Sequence, residues 1–447
     1  MLGAGAAGDE PTTSGVLVTD TETPPTDPAD EHAGDRPGQE RSPLLDRRGA
    51  VAAEAEDAAV AAHYGDPVRE QRRLEAGRAV VDLSHRSVVT VSGPDRLSWL
   101  TTLSSQQVSS LAPGESTELL LLDLSGRIEH DAAVVDDGAT AWLITENTHG
   151  GVLAAWLESM KFMLQVEIVD RTGDCAVLGS VAAPPEELPG EVVRWQDPWP
   201  RLGPGAASYA AVEESEHPGA DWSWHLTVVA REWLVAAVEA LEVEAGWSLA
   251  GVHAAEALRV AAWRPRLARE VDEKAIPHEL DLIRTAVHLA KGCYRGQETV
   301  ARVHNLGHPP RRLVFLQLDG SEHTLPAVGS DVLAPRGATD PETLAGERSV
   351  GRVTSTARHH EMGPIALALV KRRVDPEAQL VVRDPNRGPA AEQGDESSET
   401  AETAETAETG EFPAPSFYAA AQEMIVKPDA GQAVGRPKGD FVRPPRR

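Results

Sequence analysis

The segment 291–298, which reads KGCYRGQE, concentrates the side chains that could do chemistry. Cys293 supplies a thiol, and the cations Lys291 and Arg295 on either side would favour its thiolate form if they face the sulfur. Two glycines in the segment permit the backbone torsions that a ligand-wrapping loop requires. The same residues also suit an ordinary joint between helices that carries a buried, inert cysteine. Residue chemistry alone leaves both interpretations open.

The end of the segment and the second cysteine are less distinctive. Gln297 and Glu298 either bind a polar ligand or cap the helix that the pattern predicts from that point. Cys175 lies in an apolar strand pattern and is predicted to be part of the core. Because no CxxC pair occurs, the sequence predicts neither a disulfide framework nor a self-contained zinc or cluster site. Cluster chemistry would therefore need ligands from other molecules.

Composition excludes several classes of protein. The formal net charge of −28 counts against a general nucleic-acid binder and against an anionic-membrane binder. No apolar run approaches the roughly 20 residues of a membrane-spanning helix. The first residues lack the basic start and the apolar stretch of a secretory signal. We therefore expect a soluble, cytoplasmic protein that has no stable nucleic-acid partner and does not associate with membranes.

Both ends of the chain are predicted to be disordered tails. Residues 1–50 are rich in Pro, Thr, Asp, Glu and Gly, and residues 388–447 contain a repeated Ala-Glu-Thr in an acidic stretch. Such compositions bury too little apolar surface to offset the entropy of ordering. Within the second tail, residues 416–426 could form a docking segment or a transient helix, and the transient helix is the favoured interpretation.

The elements that must position the reactive segment follow two patterns. From residue 51 to residue 308, strands and helices alternate, which predicts an α+β domain with helices on its sheets. The Ala-rich stretch 51–74 is predicted to be helical with a break at 65–67, and residues 117–145 predict an antiparallel meander. From 309 to 387, short strands separated by turns predict a small antiparallel β-barrel.

KGCYRGQE resembles the signature of the YgfZ-type folate-binding proteins, which are relatives of the glycine-cleavage T protein, an aminomethyltransferase. Further landmarks resemble that family in the same order, so that the resemblance spans roughly residues 60–385. These landmarks are residues 82–84, 91–95, 258–260, 276–279, 299–302 and 350–355.

The resemblance implies a fold and a function. The implied fold has two ferredoxin-like α+β subdomains arranged in a ring with the C-terminal barrel, and tetrahydrofolate or a one-carbon derivative of it in the central channel. Proteins of this type support the assembly or repair of iron–sulfur clusters in client enzymes, including radical enzymes that modify tRNA. The implied partners are such clients or their assembly factors. A folate-dependent aminomethyl or one-carbon transferase is the main alternative, and an interaction scaffold with a vestigial pocket is the third.

Carried over by position, the resemblance makes Cys293 the functional thiol. Arg259 takes the place of a folate-contacting arginine, and a guanidinium can form paired hydrogen bonds with the glutamate carboxylates of folate. The sequence LRVAAWRP lacks the acid and glycine that usually follow this arginine, and an exposed helix residue is the alternative. Asp131 matches an acid that assists folate chemistry in the T protein, with a solvated strand end as the alternative. The implied residues of the folate-binding loop are Lys291, Tyr294, Arg295, Gly296, Gln297 and Glu298.

Overall fold

The computed structural model describes residues 40–321, 323–337, 340–385 and 415–431. The strands are β1 Val51–Ala52, β2 Ala61–His63, β3 Ala79–Asp82, β4 Ser87–Ser92, β5 Ser116–Leu122, β6 Ile128–Asp136, β7 Thr140–Thr145, β8 Glu167–Asp170, β9 Cys175–Ser180, β10 Glu191–Gln196, β11 His225–Ala230, β12 Ser248–Ala250, β13 Arg311–Leu318, β14 Asp331–Leu333, β15 Gly351–His359, β16 Gly363–Lys371, β17 Leu380–Asp384 and β18 Ser416–Met424. The helices are α1 Pro67–Glu75, α2 Arg96–Leu103, α3 Gly150–Met160, α4 Leu234–Glu244, α5 Val252–Ala261, α6 Leu267–Glu270, α7 Gln297–Leu306 and α8 Pro341–Gly346. Across these four ranges, no helix is long and apolar enough to cross a membrane.

The first five-stranded sheet contains the predicted meander. Its strand order is β5-β6-β7-β4-β8, and all neighbouring strands are antiparallel. Helices α2 and α3 cover one face, where Trp99, Leu121 and Leu153 belong to a buried apolar cluster. At one end of the sheet, the Asp136 carboxylate accepts two hydrogen bonds from the Arg96 guanidinium, at 2.7 and 2.8 Å. These contacts fix α2 on the sheet and leave the opposite face to the rest of the molecule.

The second five-stranded sheet has the order β10-β11-β9-β3-β12. Strands β12 and β3 are parallel, and the other neighbours are antiparallel. Strand β10 lies in a Pro- and Gly-rich stretch, and its Val193 and Trp195 side chains are buried. A single apolar cluster then joins both sheets to helix α5 and to the first barrel strand, through residues such as Leu120, Val260 and Leu313. The main core therefore lies between the two sheets.

The barrel is closed, with the strand order β13-β16-β15-β14-β17-β18. Its last strand, β18, comes from the region 388–447 that was predicted to be a disordered tail, and this prediction is wrong for residues 416–424. The interpretation of residues 416–426 as a transient helix is wrong as well, because β18 pairs with β13 on one side and with β17 on the other. Hydrogen bonds to two distant strands decide its structure, and local composition does not report them.

The Ala-rich stretch before α1 is not helical as predicted. Strands β1 and β2 form a small hairpin there, and Ala55 has a left-handed φ of 53°. Val60 and Ala62 are buried in the main core, so tertiary packing overrides the weak helix preference of alanine. Residues 40–50, which fall inside the predicted N-terminal tail, have a defined structure with a short 3-10 turn at Pro43–Asp46, so the prediction of a disordered tail is wrong for these residues. The overall prediction of an α+β fold with a C-terminal antiparallel barrel is confirmed.

Candidate functional site

A cavity of about 770 Å³, counted to its mouth, lies between the two five-stranded sheets. Strands β5, β6 and β7 form one wall, strands β10 and β11 form another, and helix α5 with residues 264–267 closes the space. The wall residues used below are Glu118, Asp131, Asp197, Trp222, Trp224 and Arg264.

Tryptophan side chains make one wall of the cavity apolar and aromatic. Trp222 and Trp224 stack on each other, with ring centroids 5.4 Å apart and planes inclined by 16°. The indole Nε1 of Trp222 donates a hydrogen bond of 2.9 Å to Asp197, and that of Trp195 donates one of 2.6 Å to the Thr117 carbonyl. These two hydrogen bonds hold the Trp222 and Trp195 rings in place, and the stacked Trp222 and Trp224 rings add apolar aromatic surface to the wall.

Arg264 and its acidic partners make the opposite side polar. Its Nε donates to Asp197 at 3.0 Å, and its Nη2 donates to Glu118, which also accepts a hydrogen bond from Thr285. Nη1 of Arg264 is buried and has no acceptor in the part of the chain that the structure describes. The guanidinium lies 5.0 Å from the centre of the Trp199 ring. Arg264 is therefore held firmly and still has donors to spare.

Asp131 lines the same cavity from strand β6. Its backbone carbonyl accepts a hydrogen bond of 2.7 Å from Thr145, but its carboxyl group has no hydrogen-bond partner among the described residues. Burial, followed by the nearby negative charge of Glu118, raises the pKa of Asp131 to about 8. The carboxyl group is therefore mainly protonated at pH 7 and can both donate and accept a hydrogen bond. Asp131 therefore lines the cavity from within strand β6 and is partly exposed, and its part in folate chemistry stays a prediction.

Arg259 also lines the cavity, but its geometry contradicts the predicted contact with folate carboxylates. A guanidinium has five N–H donors. In Arg259, Nε and Nη2 donate to the two carboxylate oxygens of Glu256, at 3.0 and 2.8 Å. The remaining donors reach the Arg264 carbonyl, Glu270 and Ser355, at 2.6, 3.0 and 2.6 Å. Every donor is used, so Arg259 joins α5 and α6 to the barrel and retains none for a ligand.

Arg266 is the centre of a second buried ion-pair group at the cavity. It donates to both oxygens of Asp57 and to both oxygens of Glu146, at 2.7 to 3.1 Å. Burial would raise the pKa of Glu146, but the charges of Arg266 and Arg86 lower it to about 2. This group therefore stays ionised at neutral pH and fixes the N-terminal hairpin against the sheet.

The KGCYRGQE loop lies at the end of the β5–β6 hairpin, and none of its residues lines the cavity. Gly296 has a left-handed φ of 81° and precedes α7, which begins at Gln297. A Cβ at Gly296 would lie 2.6 Å from the Asp123 carbonyl oxygen and 3.0 Å from the Gly126 Cα. The loop therefore packs directly on the hairpin turn, and the same hairpin carries Asp131 further along β6.

The two cations of the loop do not act as the sequence suggested. The Lys291 ammonium is buried, and it donates to the carbonyls of Thr101, Ser104 and Gln106 at the C-terminal end of α2. Arg295 donates to Glu129 at 2.9 Å. Both cations are thus engaged elsewhere, and the prediction that they stabilise a Cys293 thiolate has no support in the geometry. Their contacts hold the loop on the sheet instead.

The other predicted loop residues have structural contacts. Tyr294 is buried in the main core, and its ring centre lies 4.7 Å from the Lys291 ammonium. Gln297 donates to the Lys291 carbonyl at 3.4 Å, and Glu298 pairs with Arg302 one helical turn away. Cys293 itself is exposed, whereas Cys175 is buried as predicted. The loop therefore presents one accessible thiol on a rigidly anchored base.

A separate cluster near the barrel does not fit a metal ion. Side-chain atoms of Glu75, His359 and His360 lie within 4.8 Å of one another. The backbone N–H groups of Glu361 and Met362 both donate to Nδ1 of His359 at 3.2 Å. The proton of the neutral imidazole is then on Nε2, which leaves no free lone pair for a metal. The hydrogen bond of 2.9 Å between His360 and Glu75 instead ties α1 to the barrel.

Sequence reasoning missed Arg264 as a site residue, although it is a charged residue next to Pro265 directly after a predicted helix. The acids Glu118 and Asp197 were also missed. They lie on different strands or loops, and no spacing along the chain predicts that they meet at one guanidinium. The tryptophans of the WSW segment at 222–224 were visible in the sequence, but only the sheet topology shows that they face the cavity.

Comparisons with known proteins agree with this architecture. Residues 43–184 match the GCVT N-terminal domain family. The chain is 26% identical over 283 residues to the iron-sulfur cluster assembly factor IBA57 homolog, mitochondrial, of Cryptococcus neoformans, which covers 58% of this chain and 71% of the relative. It is 24% identical over 302 residues to the tRNA-modifying protein YgfZ of Vibrio atlanticus, which covers 67% of this chain and 85% of the relative.

A solved structure gives the fold independently. The glycine cleavage system aminomethyltransferase T of Bartonella henselae superimposes with a TM-score of 0.59 at 16% identity, covering 76% of this chain and 91% of that protein. The chain therefore has the aminomethyltransferase T fold. The name of the fungal relative assigns that protein to mitochondria, and the cytoplasmic location expected for this chain stays a prediction.

Proposed function

We propose that this chain binds a tetrahydrofolate and assists iron–sulfur cluster assembly or repair in other proteins. The proposal starts from membership of the T-protein-like superfamily, which the relatives of the chain support. Cys293 is its functional thiol. The observation that carries the proposal is the cavity between the sheets, where a fixed tryptophan wall faces a protonated acid and an arginine with unused donors.

The cavity residues fit a reduced folate. The flat, neutral pterin suits a space bounded by Trp222 and Trp224, and its ring edge offers acceptors and donors for Arg264 and Asp131. When bound, tetrahydrofolate supplies nitrogen atoms that carry one-carbon groups. The protein's own part is to hold the ring, to exclude bulk water and to present a proton at Asp131.

The thiol lies apart from the cavity residues but on the same structural unit. Asp131 is two residues along β6 from Glu129, the partner of Arg295, which corresponds to about 7 Å of strand. Cys293 is exposed on the loop that Arg295 and Lys291 anchor, so another protein can reach it. A single thiol cannot complete the coordination of a cluster, and so Cys293 acts together with ligands of a client or assembly factor.

The proposal is tested by separating the cavity from the thiol. Tetrahydrofolate is titrated anaerobically into the protein while tryptophan fluorescence is recorded, and the activity of a cluster-dependent enzyme is measured in cells that carry the Cys293→Ser variant. We expect micromolar binding that Cys293→Ser leaves unchanged, together with a loss of client activity in that variant. A protein that binds no tetrahydrofolate up to millimolar concentration refutes the cavity assignment. Full client activity with Cys293→Ser refutes the thiol assignment.

A folate-dependent aminomethyl or one-carbon transferase is the second candidate. The fold that this chain shares with an aminomethyltransferase favours it. Relatives with that name favour it as well. The aminomethyltransferase of Symbiobacterium thermophilum is 24% identical over 272 residues, and the match covers 57% of this chain and 71% of that relative. A protonated acid in the cavity suits such chemistry as well. Release of ammonia and methylene-tetrahydrofolate from an aminomethyl-lipoyl carrier by the purified protein would favour the transferase over the accessory role.

A further inference from the structure

A run of large apolar side chains lies exposed between helix α3 and strand β8. Phe162 and Met163 are each 85% exposed, and Met160 and Leu164 are 39% and 40% exposed. Single exposed apolar residues are normal on a protein surface and need no explanation. Here four of five consecutive residues are apolar and exposed, and together they form one patch, which we call the apolar surface.

The backbone is fixed on both sides of the apolar surface. At the end of α3, the Lys161 amide donates to the Glu158 carbonyl at 3.2 Å. After the patch, the Gln165 amide donates to the Asp95 carboxylate at 2.8 Å. A Cβ at Gly93 would lie 2.2 Å from the Gln165 carbonyl oxygen, so these two backbone segments are in close contact. The exposed side chains therefore lie on a short bridge between two anchored points, and the fold leaves them outside its core.

The size of the apolar surface fits a partner that binds transiently. A fully exposed aromatic side chain presents roughly 150–250 Å². At the exposures given above, the four side chains together present on the order of 400–500 Å². The largest apolar patch on a typical monomer is roughly 300–600 Å² and is commonly functional. A permanent dimer buries more than about 1,000 Å² on each partner, so the apolar surface is too small to be the core of one.

The apolar surface borders the KGCYRGQE loop. Trp156 lies one helical turn before Met160, on the same side of α3. The Arg295 guanidinium lies 6.0 Å from the centre of the Trp156 ring, and Arg295 is two residues from the exposed Cys293. One helical turn is about 6 Å long, and two residues of extended chain span at most about 7 Å. A partner with a standard footprint, about 30 Å across, therefore reaches Cys293 when it covers the apolar surface.

The charges around the apolar surface select the kind of partner. The cation Lys161 pairs with Glu158 at 3.4 Å. Arg295 pairs with Glu129 at 2.9 Å. Glu167, at the start of β8, is exposed and has no ion-pair partner in the part of the chain that the structure describes. This unpaired acid and the net charge of −28 attract a basic partner and repel a second copy of the same chain.

We propose that the apolar surface docks a transient protein partner that presents an apolar segment flanked by basic residues, and thereby places this partner next to Cys293. The docking surface stands on the exposed side chains and the surrounding charge, whereas its connection to Cys293 rests on the proposed function. Phe162 and Met163 contact the apolar segment, and the flexible thioether of Met163 adapts to side chains of different shape. Glu167 pairs with a flanking cation of the partner at the rim.

The test in cells uses the full-length chain with a double variant, Phe162→Ser together with Met163→Ser. Val243→Ser is the matched control, because Val243 is 83% exposed on α4, which covers the second sheet. The activity of a cluster-dependent enzyme is measured with each variant, or Cys293→Ser, as the sole copy of the protein. We expect the double variant to lower this activity about tenfold, as loss of an interface hot spot does, and Val243→Ser to leave it unchanged. Thermal melting and tetrahydrofolate binding of the purified proteins should not change.

A second measurement uses a defined probe for the partner's chemistry. A synthetic amphipathic peptide of leucine and lysine is titrated into the purified proteins by calorimetry, beside a leucine–glutamate peptide of the same pattern. We expect the double variant to bind the leucine–lysine peptide about tenfold more weakly than the wild type and Val243→Ser do. The leucine–glutamate peptide should not bind. Equal binding of the two peptides to the wild type would overturn the selection for a basic partner.

The outcomes separate this inference from the proposed function. Full client activity in the double variant overturns the docking surface. A wild-type dimer in sedimentation velocity that the double variant abolishes would assign the surface to a second copy and overturn it as well. Client activity that falls in the double variant but not in Cys293→Ser refutes the thiol role and leaves the docking surface in place. If cells without the protein keep full activity of cluster-dependent enzymes, the proposed function fails, and the peptide titration alone decides the docking surface.

Discussion

Two glycines in the KGCYRGQE loop should respond very differently to the same substitution. Gly296 has a left-handed φ of 81°, and a Cβ there would lie 2.6 Å from the Asp123 carbonyl oxygen, which belongs to the rigid hairpin turn. Gly292 has no such torsion, and a Cβ there would meet nothing within 4 Å. The pair therefore separates a glycine that the fold requires from one that it does not.

The expected magnitudes follow from these contacts. In Gly296→Ala, the left-handed torsion costs about 1–2 kcal/mol. Displacing the loop from the hairpin backbone adds about 1–3 kcal/mol, as overpacking of a fixed site does. We expect the free energy of unfolding to fall by about 2–5 kcal/mol in total, and to change by less than about 0.5 kcal/mol in Gly292→Ala.

The assay is urea unfolding, monitored by tryptophan fluorescence and combined with amide hydrogen exchange of the loop and of the β5–β6 turn. Gly296→Ala should speed exchange at both segments, because the two pack on each other, and should leave exchange in the barrel unchanged. Gly292→Ala is the matched control. Equal effects of the two substitutions, or a Gly296→Ala protein as stable as the wild type, would show that the close packing of loop on hairpin is not real.

Further predictions concern charge and topology. Because the pKa of Asp131 is raised to about 8, tetrahydrofolate affinity should hold below that pH and weaken as the pH rises through it, and Asp131→Asn should remove this dependence when the dissociation constant is measured from pH 6 to 9.5. The pKa of Glu146 is lowered to about 2, which corresponds to a stabilising contribution of about 3 kcal/mol. This contribution should be complete above the unfolded pKa near 4.5 and disappear as the pH falls toward 2. Urea unfolding across this pH range should therefore show a shallower dependence of the unfolding free energy on pH for Glu146→Gln than for the wild type. Lys291→Met should lower the unfolding free energy by about 2–4 kcal/mol, because it leaves buried carbonyls without a donor, and a thermal melt with unchanged midpoint would contradict the anchoring role. A chain that ends at residue 385 should lose cooperative unfolding of the barrel, whereas deletion of residues 390–410 alone should preserve it, as calorimetry can show.

Local pattern predicted much of the fold where each element's own residues decide its structure. The antiparallel meander predicted for residues 117–145 is formed by β5, β6 and β7, and the helix after the KGCYRGQE loop begins at Gln297 as expected. Alternation of apolar residues was sufficient for the meander of the first sheet. The apolar pattern failed for β18, because its partner strand β13 lies more than a hundred residues earlier in the chain. It also failed for the alanine-rich stretch before α1, because packing against the main core determines the conformation there.

The candidate site was less predictable than the fold. Cys293 is exposed on its loop and Asp131 lines the cavity, but the functional roles of both residues stay predictions. The roles of Lys291 and Arg259 were not, because a charged side chain of this length can turn inward or outward, and the sequence contains no signal for the acceptor that it finds. The roles of both residues became clear only when each donor was matched to its acceptor.

The position of β18 in the chain constrains how the protein can be made. Strands β13 and β17 are synthesised well before their common partner, and residues 386–414 must follow before that partner exists. During translation, the two-sheet body can form first, while the edges of β13 and β17 in the barrel still have no strand to pair with. Beyond β18, the Ala211 and Lys427 amides bond to the Ile425 and Tyr209 carbonyls at 2.8 and 3.1 Å, so the late strand also fastens the barrel to the finished body. Barrel closure and domain docking should thus be one late folding event.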